Sequence, residues 1–422
     1  MLLCAIDDIQ PGMTVAASVM HPDRSETELV KPGYALDARL INRLKDFHVE
    51  RIWIDHDATS DLDKHIKVGK SPGHQAMVTA LKTSIQDAAK KTISTADVLA
   101  YRQAVMDMVC ELMGCPALAT LAERMNQSQD GEMLRHGANV AYLSILIGLQ
   151  METYIIQQRP KLSAENAKDL TALGIGAMLH DVGKIAEVSK AARDMNALVE
   201  DRVSESGSYE EKAEDGSPLL SAVEAYRNHT LVGYRLLEKA NAPASARQIV
   251  LTHHQRWDGR GFPEMEHATS GRQKGTQQGE QIHIFSRIVA AADLLDHLLY
   301  EANQEGKPVI AALETFRSEA FASWMDPVIR DAVLRTIPPF AVGSHVRLND
   351  GRSAAVIAPN ERQPCRPVLR ELESDGQDVA EPIALSEHAD LHITHLVGEP
   401  VEQYLFQLVN RSPLAKSRLR AG

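Results

Sequence analysis

From about residue 75 to 337, apolar side chains recur at three- and four-residue spacing, as at Val140, Leu143 and Ile147. That period winds a helix with one apolar stripe; a strand, whose period is two, would scatter the same residues over both faces. A run this long predicts several helices closing on one shared core. Two stretches break the pattern. Residues 200–218 are rich in Glu, Ser, Asp and Gly, and residues 264–281 in Gly, Gln, Thr and Ser. Both read as loops. The helices expected around 75–130 are also where two copies would pair into a homodimer.

The ends of the chain read differently. Within residues 1–57, Gly12 to Ala16 has strand composition, Leu40, Leu44 and Phe47 keep helical spacing, and Val49 to Ile54 alternates like a strand. Residues 58–74 are polar and close on Gly69-Lys70-Ser71-Pro72-Gly73, which reads as a linker. After Pro338-Pro339, two short strands are expected around an Asn349-Asp350-Gly351 turn, with another from Pro367. The fold class expected is mainly α: a small α+β N-terminal domain (1–57), a linker (58–74), a helical domain (75–340) and a β-rich C-terminal extension (341–422).

Composition narrows the function. A 44% hydrophobic share over 422 residues supplies a sizeable core. A net charge of -12 argues against broad nucleic-acid binding, which needs a basic field, but not against a small anion held at a locally positive metal centre. Cys4, Cys110, Cys115 and Cys365 form no CxxC pair, and Cys110 and Cys115 are expected to pack within an apolar helix. The N-terminus lacks a basic n-region, and the apolar run Ala141–Leu149 is too short for a membrane span. The expectation is a cytoplasmic protein without a membrane span.

The helical region holds a dense set of metal-ligand residue types: Glu132, His136, His180, Asp181, His229, His253, His254 and Asp293. Imidazole with carboxylate, and no thiolate, suits iron, manganese or zinc in a hydrolytic site. Glu132 and His136 are four apart and share a helix face. Adjacent helical side chains diverge by about 100°, so the pairs His180-Asp181 and His253-His254 suit bridging of two metals or a bend. Eight donors exceed the roughly six positions of one octahedral ion, so at least two divalent metals are implied. Three carboxylates would leave such a centre positive, able to attract a phosphodiester and to lower the pKa of a water.

His180-Asp181, with His136 before and Asp293 after, resembles the HD superfamily of metal phosphohydrolases. The segment His253 to Pro263 (HHQRWDGRGFP) is similar to the signature HHExxDGxGYP of its HD-GYP subfamily. The N-terminal module and the β tail resemble the domains that often flank an HD-GYP domain. The resemblance implies a helical bundle holding two or three metals, iron or manganese most often. It implies hydrolysis of cyclic di-GMP to pGpG, in some members onward to GMP. The family's metal positions fall on the eight residues named, and Glu132 matches the glutamate of members with a third metal. His180 and Asp181 take the catalytic positions. Lys184 matches the lysine of HDxGK, a catalytic and phosphate-binding position, and Arg287 a further phosphate contact. The loop 258–263 is linked in the family to diguanylate cyclase (GGDEF) partners.

Three positions depart from the pattern. Gln255 replaces the glutamate of HHE, Phe262 replaces the tyrosine of GYP, and His297 stands where DAL would place alanine. None of the three is read as a metal ligand. The segment after Lys184 is longer and more acidic than usual. Two other readings stay open: an HD hydrolase for another cyclic dinucleotide such as cyclic GMP-AMP, and a non-catalytic dinucleotide sensor or scaffold.

Overall fold

The structure is a computed structural model that describes residues 1–22, 24–63, 66, 71–89, 93–113, 132–186, 218–266, 274–372 and 381–408. The chain is mainly α, as its periodicity predicts.

The N-terminal module pairs β1 (Leu2–Ala5) with β4 (Arg51–Ile54) antiparallel. Between them lie the hairpin of β2 (Val19–His21) and β3 (Arg24–Val30), and helix α1 (Ala38–Asp46). The Asp37 carboxylate accepts from Leu40 N at 2.7 Å and so starts α1, whose buried Ile41 and Leu44 seat it on the sheet. The strand expected at Gly12 to Ala16 forms only isolated bridges, at Thr14 and Val15.

The helical domain comprises α2 (Pro72–Ala89), α3 (Thr95–Met113), α4 (Glu132–Gln150), α5 (Thr171–Met178), α6 (Val182–Ala186), α7 (Pro218–Lys239), α8 (Ala244–Thr252), α9 (Ile284–Gln304) and α10 (Pro327–Thr336), besides further helices such as Glu152–Gln158 and Val309–Arg317. From Leu134 to Gly148 every residue of α4 is buried. A helix buried on every face is a central one, and α2, α5, α9 and α10 pack around it. Among the described residues no single helix is long and apolar enough to cross a membrane.

The C-terminal sheet has six antiparallel strands in the order Ile383–Ala384, Val368–Glu371, Ser353–Ala358, His345–Leu348, Ile393–Leu396 and Glu399–Pro400. Its hairpin of β7 (His345–Leu348) and β8 (Ser353–Ala358) turns at Asn349 to Gly351, where the sequence placed it. The sheet meets the N-terminal module. Leu3 N donates to Gly343 O at 2.7 Å, Arg347 pairs with Asp8 at 2.8 Å, and Ala355 enters the N-terminal core.

Several expectations change. Within 58–74, the described part is no simple linker. Asp57–Leu62 forms a 3-10 helix, Leu62 and Ile66 enter the main core, and Arg370 bonds Asp61 and the Ala58 carbonyl at 2.7 Å each. Cys110 is exposed rather than packed. In 264–281, the strands Met265–Glu266 and Lys274–Gly275 pair. Cys115 and most of the acidic segment after Lys184 lie outside the described residues.

Candidate metal centre

Three helices and two turns carry the expected donors to one place. His136 comes from α4. His180 and Asp181 occupy the turn between α5 and α6, His229 comes from α7, His253 and His254 follow α8, and Asp293 comes from α9. The α5–α6 turn fits against α7 because residue 183 is glycine: a Cβ there would lie 1.9 Å from His229 O. Seven of the eight expected donors thus converge. The Glu132 side chain lies outside the described residues.

Asp181 stands between two groups. Its Oδ1 lies 3.3 Å from His229 Nε2 and 3.7 Å from His253 Nε2, and its Oδ2 lies 3.5 Å from His180 Nε2 and 3.9 Å from His136 Nε2. Donor atoms of Asp181, His229, His253 and His254 fit one ion, and those of His136, His180 and Asp181 a second. The adjacent pair His180-Asp181 sits at a bend and faces both groups, which is how the sequence resolved two divergent side chains.

The outer nitrogens decide what the inner ones do. His180 Nδ1 donates to Ala177 O at 2.8 Å, His253 Nδ1 to Val250 O at 3.0 Å, and His229 Nδ1 to Tyr226 O. A carbonyl only accepts, so each proton sits on Nδ1 and each inner Nε2 presents a lone pair. His136 Nδ1 donates likewise to Asp296 Oδ2 at 2.8 Å. The inner nitrogens then face one another, His136 against His180 at 3.2 Å and His229 against His253 at 3.4 Å. Two lone pairs that close repel unless a proton or a cation lies between them.

Three buried atoms at the centre have no hydrogen-bond partner: Asp181 Oδ1, Asp293 Oδ1 and His254 Nε2. Buried polar atoms left open cost about 1–3 kcal/mol each, more when charged, and metal ions in these groups would satisfy all three. The donor set therefore fits divalent ions of the iron, manganese and zinc class.

Protonation follows from burial and neighbours. Burial lowers His180 to about 4, lowers His229, and lowers His254 far below the usual histidine range, so these rings are neutral and ready to ligate. Burial would raise Asp181, but Lys184 and the surrounding histidines outweigh it and hold the carboxylate well below its usual range. For Asp293, the close imidazoles of His136 and His297 outweigh burial in the same direction. His136 is the exception. Burial would lower it, yet Asp293 and Asp296 raise it to about 10, so in the metal-free chain a proton occupies a place a cation would take.

Lys184 Nζ lies 2.7 Å from Asp181 Oδ2 and above the Tyr226 ring, at the edge of this centre. Arg287 corrects the expectation of a phosphate contact. Its guanidinium donates to Ile282 O at 2.9 Å, Asp326 Oδ2 at 2.5 Å, Tyr154 Oη at 3.3 Å and Gln158 Oε1 at 2.6 Å. It is a buried brace between helices.

The signature loop is tied down from within. Asp258 pairs with Arg256 at 2.6 Å and accepts from Arg260 N at 3.1 Å. Gln255 donates to Pro263 O at 2.6 Å and accepts from Gln277 N at 2.9 Å. An ionised glutamate has no proton for the first of these bonds, so glutamine suits this loop. Phe262 stacks on His254 with centroids 4.6 Å apart. At Gly261 a Cβ would lie 2.3 Å from His254 O, so the chain must be bare there to pass the histidine pair.

Two residues escaped the sequence reading. Tyr226 sits among His229, His254 and Phe262. His297 reaches Asp293 Oδ1 at 3.3 Å, and its donor atom groups with those of His136 and Asp293 in a set that shares His136 with the second ion's group. Four-residue spacing from Asp293 was the available signal.

The chain resembles known proteins in keeping with this geometry. Residues 210–329 match the HD domain family, a segment that carries His229, His253, His254 and Asp293. A Pseudomonas aeruginosa protein named cyclic di-GMP phosphodiesterase is 25% identical, over 91% of this chain and 89% of its own. A Thermotoga maritima protein of the same name is 28% identical over 42% of this chain, which spans only 36% of that relative's length. Among solved structures, an HD-GYP-type protein of Bdellovibrio bacteriovorus, Bd1817, aligns over 79% of this chain and 97% of its own at 16% identity and a TM-score of 0.39. The HD-domain match, the two named phosphodiesterases and the motifs at His180-Asp181 and His253 to Pro263 make the chain similar to HD-domain proteins of the HD-GYP type.

Proposed function

We propose that the protein is a cytoplasmic, metal-dependent phosphodiesterase that hydrolyses cyclic di-GMP to pGpG. Its metal ligands are Glu132, His136, His180, Asp181, His229, His253, His254 and Asp293, and iron or manganese fills the site. The reading rests above all on the inner imidazole nitrogens, which face one another at 3.2 and 3.4 Å while their outer nitrogens are committed to carbonyl or carboxylate acceptors. The relatives' names supply the substrate.

When bound, two or three divalent ions supply Lewis acidity at the phosphodiester and a water of lowered pKa. The protein's own groups do the rest. Ala177, Val250, Tyr226 and Asp296 fix the imidazoles in rotation and tautomer. Lys184 keeps Asp181 ionised and places a positive charge where a phosphate oxygen would arrive. The imidazoles of His136, His180, His229 and His253 do not serve as general bases, because each is held with its inner nitrogen turned into the cluster.

The test uses protein purified without air and loaded separately with Fe(II) and Mn(II). Cyclic di-GMP and cyclic GMP-AMP are followed by chromatography beside His180→Ala/Asp181→Ala. Metal binding with pGpG formation, both lost in the double variant, is the expected result. Bound metal with both dinucleotides intact under every condition would overturn the enzyme reading and leave a sensor. Onward conversion to GMP would correct the product.

A further inference from the structure

We propose that His297 is a metal ligand, completing an ion site with Asp293 and His136 on the more open side of the centre. The inference rests on the metal-centre reading above and adds a ninth donor that the family pattern, with alanine at this position, does not supply.

The sequence places Asp293 and His297 four apart on α9, just as Glu132 and His136 are four apart on α4. Residues at that spacing share a helix face, and α4 and α9 pack against each other. The carboxylate-x3-histidine pair on α9 is thereby set beside His136 on α4.

The geometry carries it further. Around Asp293 Oδ1 stand three inner nitrogens: His136 Nε2 at 3.1 Å, His297 Nε2 at 3.3 Å and His180 Nε2 at 3.7 Å. Donors about 2.1 Å from one ion are about 3.0 Å apart at a right angle and about 3.4 Å apart at the tetrahedral angle. The two shorter separations fall in that range. Yet Asp293 Oδ1 makes no hydrogen bond, so at these distances the imidazoles approach it off the donor direction. An unsatisfied carboxylate oxygen among imidazole nitrogens is what a shared ion would satisfy. The rings of His136 and His297 lie 4.6 Å apart, tilted by 33°. A neutral imidazole also adds a donor without adding negative charge, so the centre keeps its attraction for an anion.

The His297 side chain is 32% exposed, against 9% for His136, so it can be replaced without opening the core. The experiment compares wild type, His297→Ala and His297→Gln. It measures metal per chain by elemental analysis, Mn(II) retention against a competing chelator, and the visible ligand-field bands of Co(II)-loaded protein. Melting of the metal-free forms checks folding. The expected result is loss of one ion, or its retention weakened at least about tenfold, in both variants, with altered Co(II) bands. Glutamine can still donate a hydrogen bond to Asp293, so a fully wild-type Gln variant would reduce His297 to a hydrogen-bonding neighbour and overturn the proposal. Wild-type metal content and retention in both variants would overturn it while leaving the main centre intact. A wild-type chain that binds no divalent metal would bring down the metal centre and this inference together.

Discussion

Asp296 Oδ2 accepts from His136 Nδ1 at 2.8 Å, while its other oxygen accepts from Asn139 Nδ2, also at 2.8 Å. The carboxylate is thus fixed on one side and aims the imidazole on the other, leaving Nε2 toward Asp293. Asp296→Asn would keep the shape but lose the charge that makes His136 a strong donor. We expect metal affinity to fall about 10–100-fold, with the fold retained. Mn(II) competition titration reads this directly; unchanged affinity would show that Asp296 serves packing alone.

Gly183 lets the α5–α6 turn lie against α7. In Gly183→Ala the new methyl would meet His229 O at 1.9 Å and Gly233 N at 2.7 Å, both backbone atoms that cannot rotate away. The two segments must separate, and His229 moves with α7. Overpacking of this kind costs about 1–3 kcal/mol or more, and here we expect loss of metal from the group containing His229. Urea unfolding and metal analysis test both parts. Wild-type stability with full metal content would contradict the close packing.

Arg287 and Asp326 form a buried pair, 3% and 0% exposed. Asp326 also caps α10 by accepting from Val328 N at 2.9 Å. Arg287→Met would leave that carboxylate buried without its cation, a change that costs about 3–5 kcal/mol. We expect a large drop in unfolding free energy, while the KM of the folded fraction for cyclic di-GMP stays within about twofold. Normal stability with a raised KM would return Arg287 to the phosphate-binding role that its sequence context suggested.

These residues show what the sequence discloses and why. His136, His180, Asp181, His229, His253, His254 and Asp293 were legible because four-residue spacing and adjacent pairs state which way side chains point. His297 obeyed the same spacing rule and was set aside because it departs from a family motif. Arg287 shows the reverse error. Six residues before Asp293, it points about 120° away around the helix, so likeness of context misled where rotation would have served. The join between the two ends of the chain left no trace. Leu3 with Gly343 and Asp8 with Arg347 are contacts across most of the chain length, and local periodicity carries no information about such pairs. The polar stretch after Asp57 concealed Leu62 and Ile66, two isolated apolar residues that enter the core without forming a pattern.

His283 caps the helix that carries Asp293, its Nδ1 accepting from Phe285 N at 3.2 Å. That bond needs a neutral ring. Burial, with the positive charges of Arg159 and Arg287 close by, lowers this histidine from 6.5 to about 4. In the unfolded chain it takes up a proton near pH 6.5, whereas in the folded chain it does so only near pH 4. Between those values the unfolded state binds more protons, so stability falls as the pH drops through the window and is unaffected above it. The difference corresponds to at most about 3 kcal/mol, less where water reaches the ring. His283→Asn keeps a capping oxygen but does not titrate. Urea unfolding of metal-free protein at several pH values between 4 and 7.5 should therefore show a shallower acid loss in the variant than in the wild type. The difference between the two removes the contribution of the metal-site histidines, which both proteins share. Parallel pH profiles would show that His283 does not govern the acid stability of this helix.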